Sequence, residues 1–242
     1  MTTNQHGSAQ SQAMLTAVVL LTMMTATAMT LTHPAAVVAQ STGVPTLSNA
    51  EPQDADGFFQ RGLERQNRGD HRGALADYNQ VIRLSPTHFA AHNNRGNARA
   101  DLGDNQGAIA DFSEAIRLNP NYALAYYNRG TTRSAMGDKR GAIEDYDQAI
   151  RIQPNYPRAY YNRANAKDAI GDRLGAIADY DQAIRLQPDY ANAYYNRGLT
   201  KADVGDRQGA IADVQAAARL YQQQGDIEWF NRAMKAVDVL SR

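Results

Sequence analysis

The chain has 242 residues, with 25 Lys+Arg against 25 Asp+Glu, so no net field draws it to nucleic acid or to an anionic membrane surface. It contains no cysteine, which excludes disulfides, thiol catalysis, cysteine-held metals and a lipoprotein-type anchor. The length suits one sizeable core or an array of small units.

Residues 1–50 contain no Lys, Arg, Asp or Glu, and Leu15 to Leu31 form an apolar run rich in Thr and Met. Val37 and Ala39 then supply small residues at the −3 and −1 places for cleavage before Gln40. Residues 1–39 therefore read as a secretory signal peptide, although the segment before the apolar run lacks the usual basic residue. Cleavage near Ala39-Gln40 predicts an extracytoplasmic protein, periplasmic or secreted. The alternative is a membrane anchor made of residues 15–31, marginal in length for spanning. Residues 40–54 form a polar linker with Pro, Ser and Asn and no helical or strand period.

From Ala55 the chain divides without a gap into units of 34 residues: 55–88, 89–122, 123–156, 157–190 and 191–224. The first half of each unit predicts a helix with a small residue at its eighth position, Gly62, Gly96, Gly130, Ala164 and Gly198. It ends at Gly-Asp, where glycine takes the C′ conformation and aspartate caps the next helix. The second half has apolar residues at helical spacing, as in Ala142, Ile143, Tyr146, Ala149 and Ile150. It stops at Pro86, Pro120, Pro154 and Pro188, with Thr87, Asn121, Asn155 or Asp189 expected to cap the following helix. Such a hairpin is too small to bury its own apolar faces, so it must stack on its neighbours. After Gly225, a helix with Ile227, Phe230, Met234 and Val237 on one face and Asp226 as N-cap predicts a solvating cap over residues 225–242.

This spacing closely resembles the tetratricopeptide repeat family. The family's pattern of an aromatic at position 4, small residues at 8 and 20, an aromatic at 24, a small residue at 27 and proline at 32 is met by Tyr126, Gly130, Ala142, Tyr146, Ala149 and Pro154. The other units carry equivalents. Departures are His92 in an aromatic slot, Val81 and Val214 in the 27 and 24 slots, and Gln222 in place of proline. The resemblance implies an all-α, right-handed superhelical solenoid of helical hairpins that binds protein partners and is not an enzyme.

Two further patterns recur. Position 7, usually apolar in the family, is Arg61, Arg95, Arg129, Arg163 and Arg197, and 16 residues later comes Asp77, Asp111, Asp145, Asp179 and Asp213. Antiparallel packing puts positions 7 and 23 at one level, so the aspartates are expected to pair with the arginines; an arginine stripe reading phosphates is the alternative. Position 6 is Asn94, Asn128, Asn162 and Asn196. In the family this position looks into the concave surface, and carboxamides can donate to and accept from an extended peptide backbone. The arrangement resembles the asparagine ladder of the O-linked GlcNAc transferase repeat domain. The aromatics at position 4, Phe58, Tyr126, Tyr160 and Tyr194, are expected in the core, and Tyr127, Tyr161 and Tyr195 at position 5 along the groove edge.

Chaperone-binding repeats clamp a terminal carboxylate with cations and asparagines, and the matching slots here hold Asn93, Asn97, Asn128, Arg158 and Asn162. Two of the expected cations are missing, so a strong clamp is not expected. The candidate peptide-binding set is therefore Asn94, Asn128, Asn162, Asn196, Asn97, Asn165, Tyr127, Tyr161, Tyr195 and Arg158. His88 and His92 stand four apart without a third ligand, so no metal site is expected, and no P-loop, GxSxG or dinucleotide fingerprint points to a cofactor or a catalytic residue. The leading expectation is a scaffold that binds an extended peptide. The alternatives are a glycan-binding module using the same groove and a membrane-tethered assembly factor. Gly73, Gly107, Gly141, Gly175 and Gly209, early in each second helix, suggest a close helix approach.

Overall fold

The computed structural model describes residues 52–242; the expected signal peptide, its cleavage site and most of the linker lie outside them. Eleven helices are present among the described residues. The first helices of the five repeats are α1 (Ala55–Asn67), α3 (Phe89–Asp101), α5 (Ala123–Ala135), α7 (Pro157–Ala169) and α9 (Ala191–Asp203). Their hairpin partners are α2 (His71–Leu84), α4 (Asn105–Leu118), α6 (Lys139–Ile152), α8 (Arg173–Leu186) and α10 (Arg207–Gln223), and α11 (Ile227–Ser241) ends the stack. No helix among the described residues is long and apolar enough to cross a membrane.

The turn inside each hairpin is built as its Gly-Asp pair requires. In the first repeat Asp70 N–H donates to the Arg65 carbonyl and Gly69 N–H to that of Gln66, the paired bonds of a Schellman ending. Gly69, Gly103, Gly137, Gly171 and Gly205 hold φ between +79° and +91°, a region costly for any residue with a Cβ. Each following aspartate accepts from the backbone N–H three residues on, as Asp138 does from Gly141 at 2.9 Å. That carboxylate also explains the second-helix glycines: a Cβ on Gly141 would lie 2.2 Å from Asp138 Oδ2. The space is filled by the cap itself, not by an approaching helix.

The first helices are entered differently from the expectation. Their N-caps are His88, Tyr122, Tyr156 and Tyr190, one residue beyond Thr87, Asn121, Asn155 and Asp189. His88 Nδ1 accepts from Ala91 N–H, whereas the three tyrosines make no side-chain cap bond. Their rings pack instead: Tyr156 lies 4.9 Å from Tyr127 and Tyr190 4.9 Å from Tyr161, centroid to centroid. An aromatic contact of this kind stabilises by about 0.5–1.5 kcal/mol beyond its area, comparable with a lost cap bond of ~1 kcal/mol.

The core follows the small and aromatic slots. Ala142, Tyr146 and Ala149 cluster with Tyr127 of their own hairpin and with Ala159 and Ala166 of the next, so each unit completes its burial on its neighbour. A Cβ on Gly130 would stand 3.0 Å from the Tyr146 ring, which is why that slot is small. Burying a ring such as Phe112, which stands in the slot of Tyr146 in its own repeat, contributes about 1.5–3 kcal/mol and leaves it 1% exposed.

At the C-terminus Gln222, in place of proline, lets α10 run to Gln223. Asp226 caps α11 by accepting from Trp229 N–H. The packed face of α11 differs from the one its spacing suggested: Ala233, Ala236, Val237 and Leu240 are buried, while Ile227 and Met234 are exposed. Trp229 decides this, because it packs against both Tyr195 and Tyr221 and rotates the helix onto that side.

Candidate peptide-binding groove

The five arginines at position 7 are paired inside their hairpins. Arg61, Arg95, Arg129, Arg163 and Arg197 place Nη2 2.5–2.8 Å from Asp77, Asp111, Asp145, Asp179 and Asp213. The aspartates are buried, between 1% and 6% exposed. A second cation, not singled out from the sequence, completes each pair: Arg65, Arg99, Arg133, Lys167 or Lys201 lies 2.8–3.0 Å from the same carboxylate. Its recurrence at position 11 was the available signal. Burial alone would raise the Asp111 pKa, but hydrogen bonds from His92 and Arg95 and the charges of Arg95 and Arg99 hold it below the usual carboxylate range.

The same arginines tie each repeat to the one before. Arg95, Arg129, Arg163 and Arg197 donate through Nη1 to Asn79, Ser113, Asp147 and Asp181 at 2.5–3.0 Å. Their guanidinium carbons, with that of Arg61, also account for position 4: Arg61, Arg129, Arg163 and Arg197 lie 5.3–5.7 Å above the rings of Phe58, Tyr126, Tyr160 and Tyr194. In the second repeat His92 takes the slot and its Nε2 donates to the Pro86 carbonyl at 3.0 Å.

This reverses the expected roles of the two aromatic positions. The position-4 rings are half-buried beneath the arginines, whereas Tyr127 and Tyr195 at position 5 are 9% and 3% exposed and Tyr161 is half-buried. Tyr127 is enclosed by Tyr146 of its own hairpin and by Tyr156, which folds over it. The position-5 rings therefore form part of the packing between repeats rather than a groove edge.

First helices of successive repeats approach one another, α3 with α5, α5 with α7 and α7 with α9, which sets them along the inner side of the stack. The position-6 asparagines on this side are half-buried and anchored. Asn128 Nδ2 donates to Asn93 Oδ1, Asn162 Nδ2 to the Tyr127 hydroxyl and Asn196 Nδ2 to the Tyr161 hydroxyl, each at 3.0 Å. Each bond reaches back 35 residues into the preceding repeat. Asn94 accepts from Asn93. The side-chain oxygens Oδ1 of Asn128, Asn162 and Asn196 accept nothing among the described residues, although the backbone carbonyls of Asn128 and Asn196 accept from Thr132 and Thr200. Hydrogen-bond capacity toward a ligand is thus retained at each Oδ1, and one Nδ2 hydrogen is also left on Asn128 and on Asn162, whereas Asn196 commits both of its own.

The remaining candidates divide. Asn97 is buried, and Asn165 accepts from both Tyr180 and Asn196, so these two support the groove wall. Asn93, in a clamp slot, is fully buried. Arg158, at the start of α7, is half-buried and its charge reaches the hydroxyls of Tyr127, Tyr156 and Tyr190. The sequence reading also passed over Asp168, near the end of α7. Burial, together with the charge of Asp203, raises its pKa despite Arg173 and Thr200, and its Oδ1 is enclosed without a hydrogen-bond partner. No group of three metal-ligating side chains occurs among the described residues.

A family model for the TPR repeat matches residues 65–103, 96–137, 134–171 and 169–205. Among solved structures, MamA is 26% identical, with a TM-score of 0.64, over 68% of this chain and 96% of that one. Residues 41 to the end of MamA from Desulfovibrio magneticus RS-1 match at 22% identity and a TM-score of 0.66, over 72% of this chain and 99% of that one. YrrB, described as a TPR protein with an unusual peptide-binding site, matches at 21% identity and a TM-score of 0.62, over 75% and 92% of the two chains. The last two show a shared fold. No curated protein matches the chain. The matched residues span more than half of the chain and carry the hairpin pattern described above: this chain belongs to the tetratricopeptide repeat family, whose fold is generally a non-catalytic scaffold for protein–protein contact.

Proposed function

We propose that the chain is an exported, non-catalytic scaffold that holds an extended peptide segment along its inner face. The observation that carries this reading is the row Asn128, Asn162 and Asn196. Each is fixed through Nδ2 to the preceding repeat and presents an uncommitted Oδ1 on the first-helix side. Pre-fixed acceptors at regular intervals suit a ligand that offers backbone N–H groups at regular intervals, and their rigidity lowers the ordering cost of binding. The enclosure of Tyr127 and Tyr195 weighs against a glycan, which needs open aromatic faces.

The test is a partner captured from an extracytoplasmic extract, with selected backbone amides then N-methylated. Wild type should lose affinity on methylation, and an Asn128→Ala, Asn162→Ala variant should lose much less. Equal losses would show that the asparagines do not read the backbone.

Export rests on the apolar run 15–31 and the Val37-x-Ala39 site. The mature chain should begin at or near Gln40. Intact mass from the native host showing residues 15–31 retained would replace export with the membrane tether.

A further inference from the structure

The two ends of the array are finished differently. A terminal unit of a stacked repeat protein turns a polar face outward, because no neighbour follows to cover it. The first helix obeys this rule. In the fourth repeat Ala159 and Ala166 are buried against Ala142 and Tyr146 of the third. Their counterparts in α1 are Gly57 and Glu64, and Glu64 is exposed and pairs with Arg68 at 3.8 Å. The last helix breaks the rule. Ile227 of α11 is 59% exposed and Met234 41%, with Phe230 half-buried between them.

The stripe has a definite geometry. Ile227 and Met234 are seven residues apart, so they stand one above the other, two turns apart along α11. Glu228 and Lys235, also seven apart, do the same on one flank of the stripe, and Phe230 lies on the other flank. Glu228 and Lys235 are both exposed. Glu228 pairs with Arg232 of its own helix at 2.9 Å, whereas Lys235 makes no ion pair among the described residues. An apolar row thus runs beside a charged row that carries an acid at its start and a base at its end.

We propose that a second copy of this chain covers the stripe, the two α11 helices lying antiparallel about a two-fold axis at the level of Asn231. Such an axis reverses the helix direction and keeps each flank on its own side, so the surface must be complementary to itself. It is. The axis brings Ile227 to Met234 of the second copy and Glu228 to Lys235 of the second copy, each twice, within one residue's rise of about 1.5 Å. A parallel pair would set the charged flank against the Phe230 flank and leave both ion pairs unmade. The N-terminal end of a second copy is the wrong cover, because Glu64 and Arg68 would be taken out of water against apolar side chains. Assembly therefore closes at two copies instead of extending as a filament. This surface lies on the cap helix and does not rest on the peptide reading.

Sedimentation equilibrium of the chain purified from its native host, across a wide concentration range, tests this. Wild type should fit a monomer–dimer equilibrium. Met234→Lys should raise the dissociation constant about a hundred-fold, since each substitution acts twice in a two-fold dimer, and Ile227→Lys should do the same. Glu228→Lys and Lys235→Glu should each weaken self-association about ten-fold, because both ion pairs become like-charged. An equal mixture of these two variants should form a heterodimer about as tight as wild type, since every contact is then again between opposite charges. The charge variants alter exposed positions, so they carry the test even where an apolar-to-lysine change impairs folding. A monomer at every concentration, or growth beyond two copies, would overturn the proposal. So would a dimer indifferent to Met234→Lys and Ile227→Lys, or a mixture that associates no better than either charge variant alone.

Discussion

Asp145 and Asn162 both occupy slots refilled every 34 residues, and the fold treats them in opposite ways. Asp145 is 2% exposed and receives donors from both Arg129 and Arg133; nothing about it is left for a ligand. Asn162 is half-buried, spends its amide on Tyr127 of the preceding repeat and keeps its carbonyl oxygen open. Recurrence alone therefore does not separate architecture from recognition. The separation lies in how fully each group's bonding capacity is met inside the chain.

The largest test of that contrast is Asp145→Ala. It strands two cations whose side chains are 17% and 27% exposed and should destabilise by about 3–5 kcal/mol. Replacing Arg129 and Asp145 together by apolar residues of similar volume should recover much of the loss. Denaturant melts of the single and double variants decide the point. An unchanged melt for Asp145→Ala would place the pair at the surface and restore the arginine-stripe alternative.

Asn128→Ala with Asn162→Ala comes next. The anchoring bonds to Asn93 and Tyr127 mean that stability also falls, by about 1–3 kcal/mol for the two bonds together. A loss of binding with no loss of stability would show that the anchoring bonds do not form in solution. Binding should therefore be compared at a temperature where both proteins are fully folded.

Most of the hairpin architecture was legible before any coordinates. The Gly-Asp pairs gave the turns, the prolines ended the second helices, and the Arg/Asp spacing gave the buried pairing because charge in a packed layer requires a partner. Three things were not legible. Positions 4 and 5 are both aromatic, as in Tyr126 and Tyr127, and a step of about 100° between them does not say which turns toward the next repeat. Tyr156 and Tyr190 settled that, yet they stand at the unit boundary, where a cutting scheme hides them. The asparagine anchors reach into the preceding repeat, so no window confined to one unit reveals them.

Gly141→Ala gives a smaller, non-additive effect. Helix propensity alone predicts a gain of about 1 kcal/mol. Because the new Cβ would meet the Asp138 carboxylate at 2.2 Å, the substitution displaces the cap, which costs ~1 kcal/mol. In wild type the two should roughly cancel. In an Asp138→Ala background the same change should stabilise by about 1 kcal/mol. A double-mutant cycle from thermal melts measures the coupling, and additive effects would show that cap and glycine do not share the space.

The smallest expected effect contrasts two buried carboxylates. Asp111 and Asp168 are both buried to a degree, but Asp111 has its pKa lowered by His92, Arg95 and Arg99 against burial, whereas Asp168 has its pKa raised by burial and Asp203. The signs for stability are opposite. A carboxyl with a depressed folded-state pKa contributes stability that is present above the unfolded value, about 4, and is lost as pH falls through the folded value. A carboxyl with a raised folded-state pKa holds its proton more tightly when folded, so it begins to cost stability as pH rises past the unfolded value, and the full penalty is present above the folded one. Asp111→Asn should therefore melt lower than wild type at pH 7, and Asp168→Asn should melt higher. The Asp168 difference should shrink as pH falls toward about 4, and the Asp111 difference only as pH falls below it. The enclosed, unbonded Oδ1 of Asp168 is the physical origin of its penalty, which neutralisation to an amide removes. If Asp168→Asn instead melts lower than wild type at pH 7, the carboxylate is held by the Arg173 and Thr200 side more strongly than burial and Asp203 oppose it. Asp168 would then belong with Asp145 among the closed structural groups.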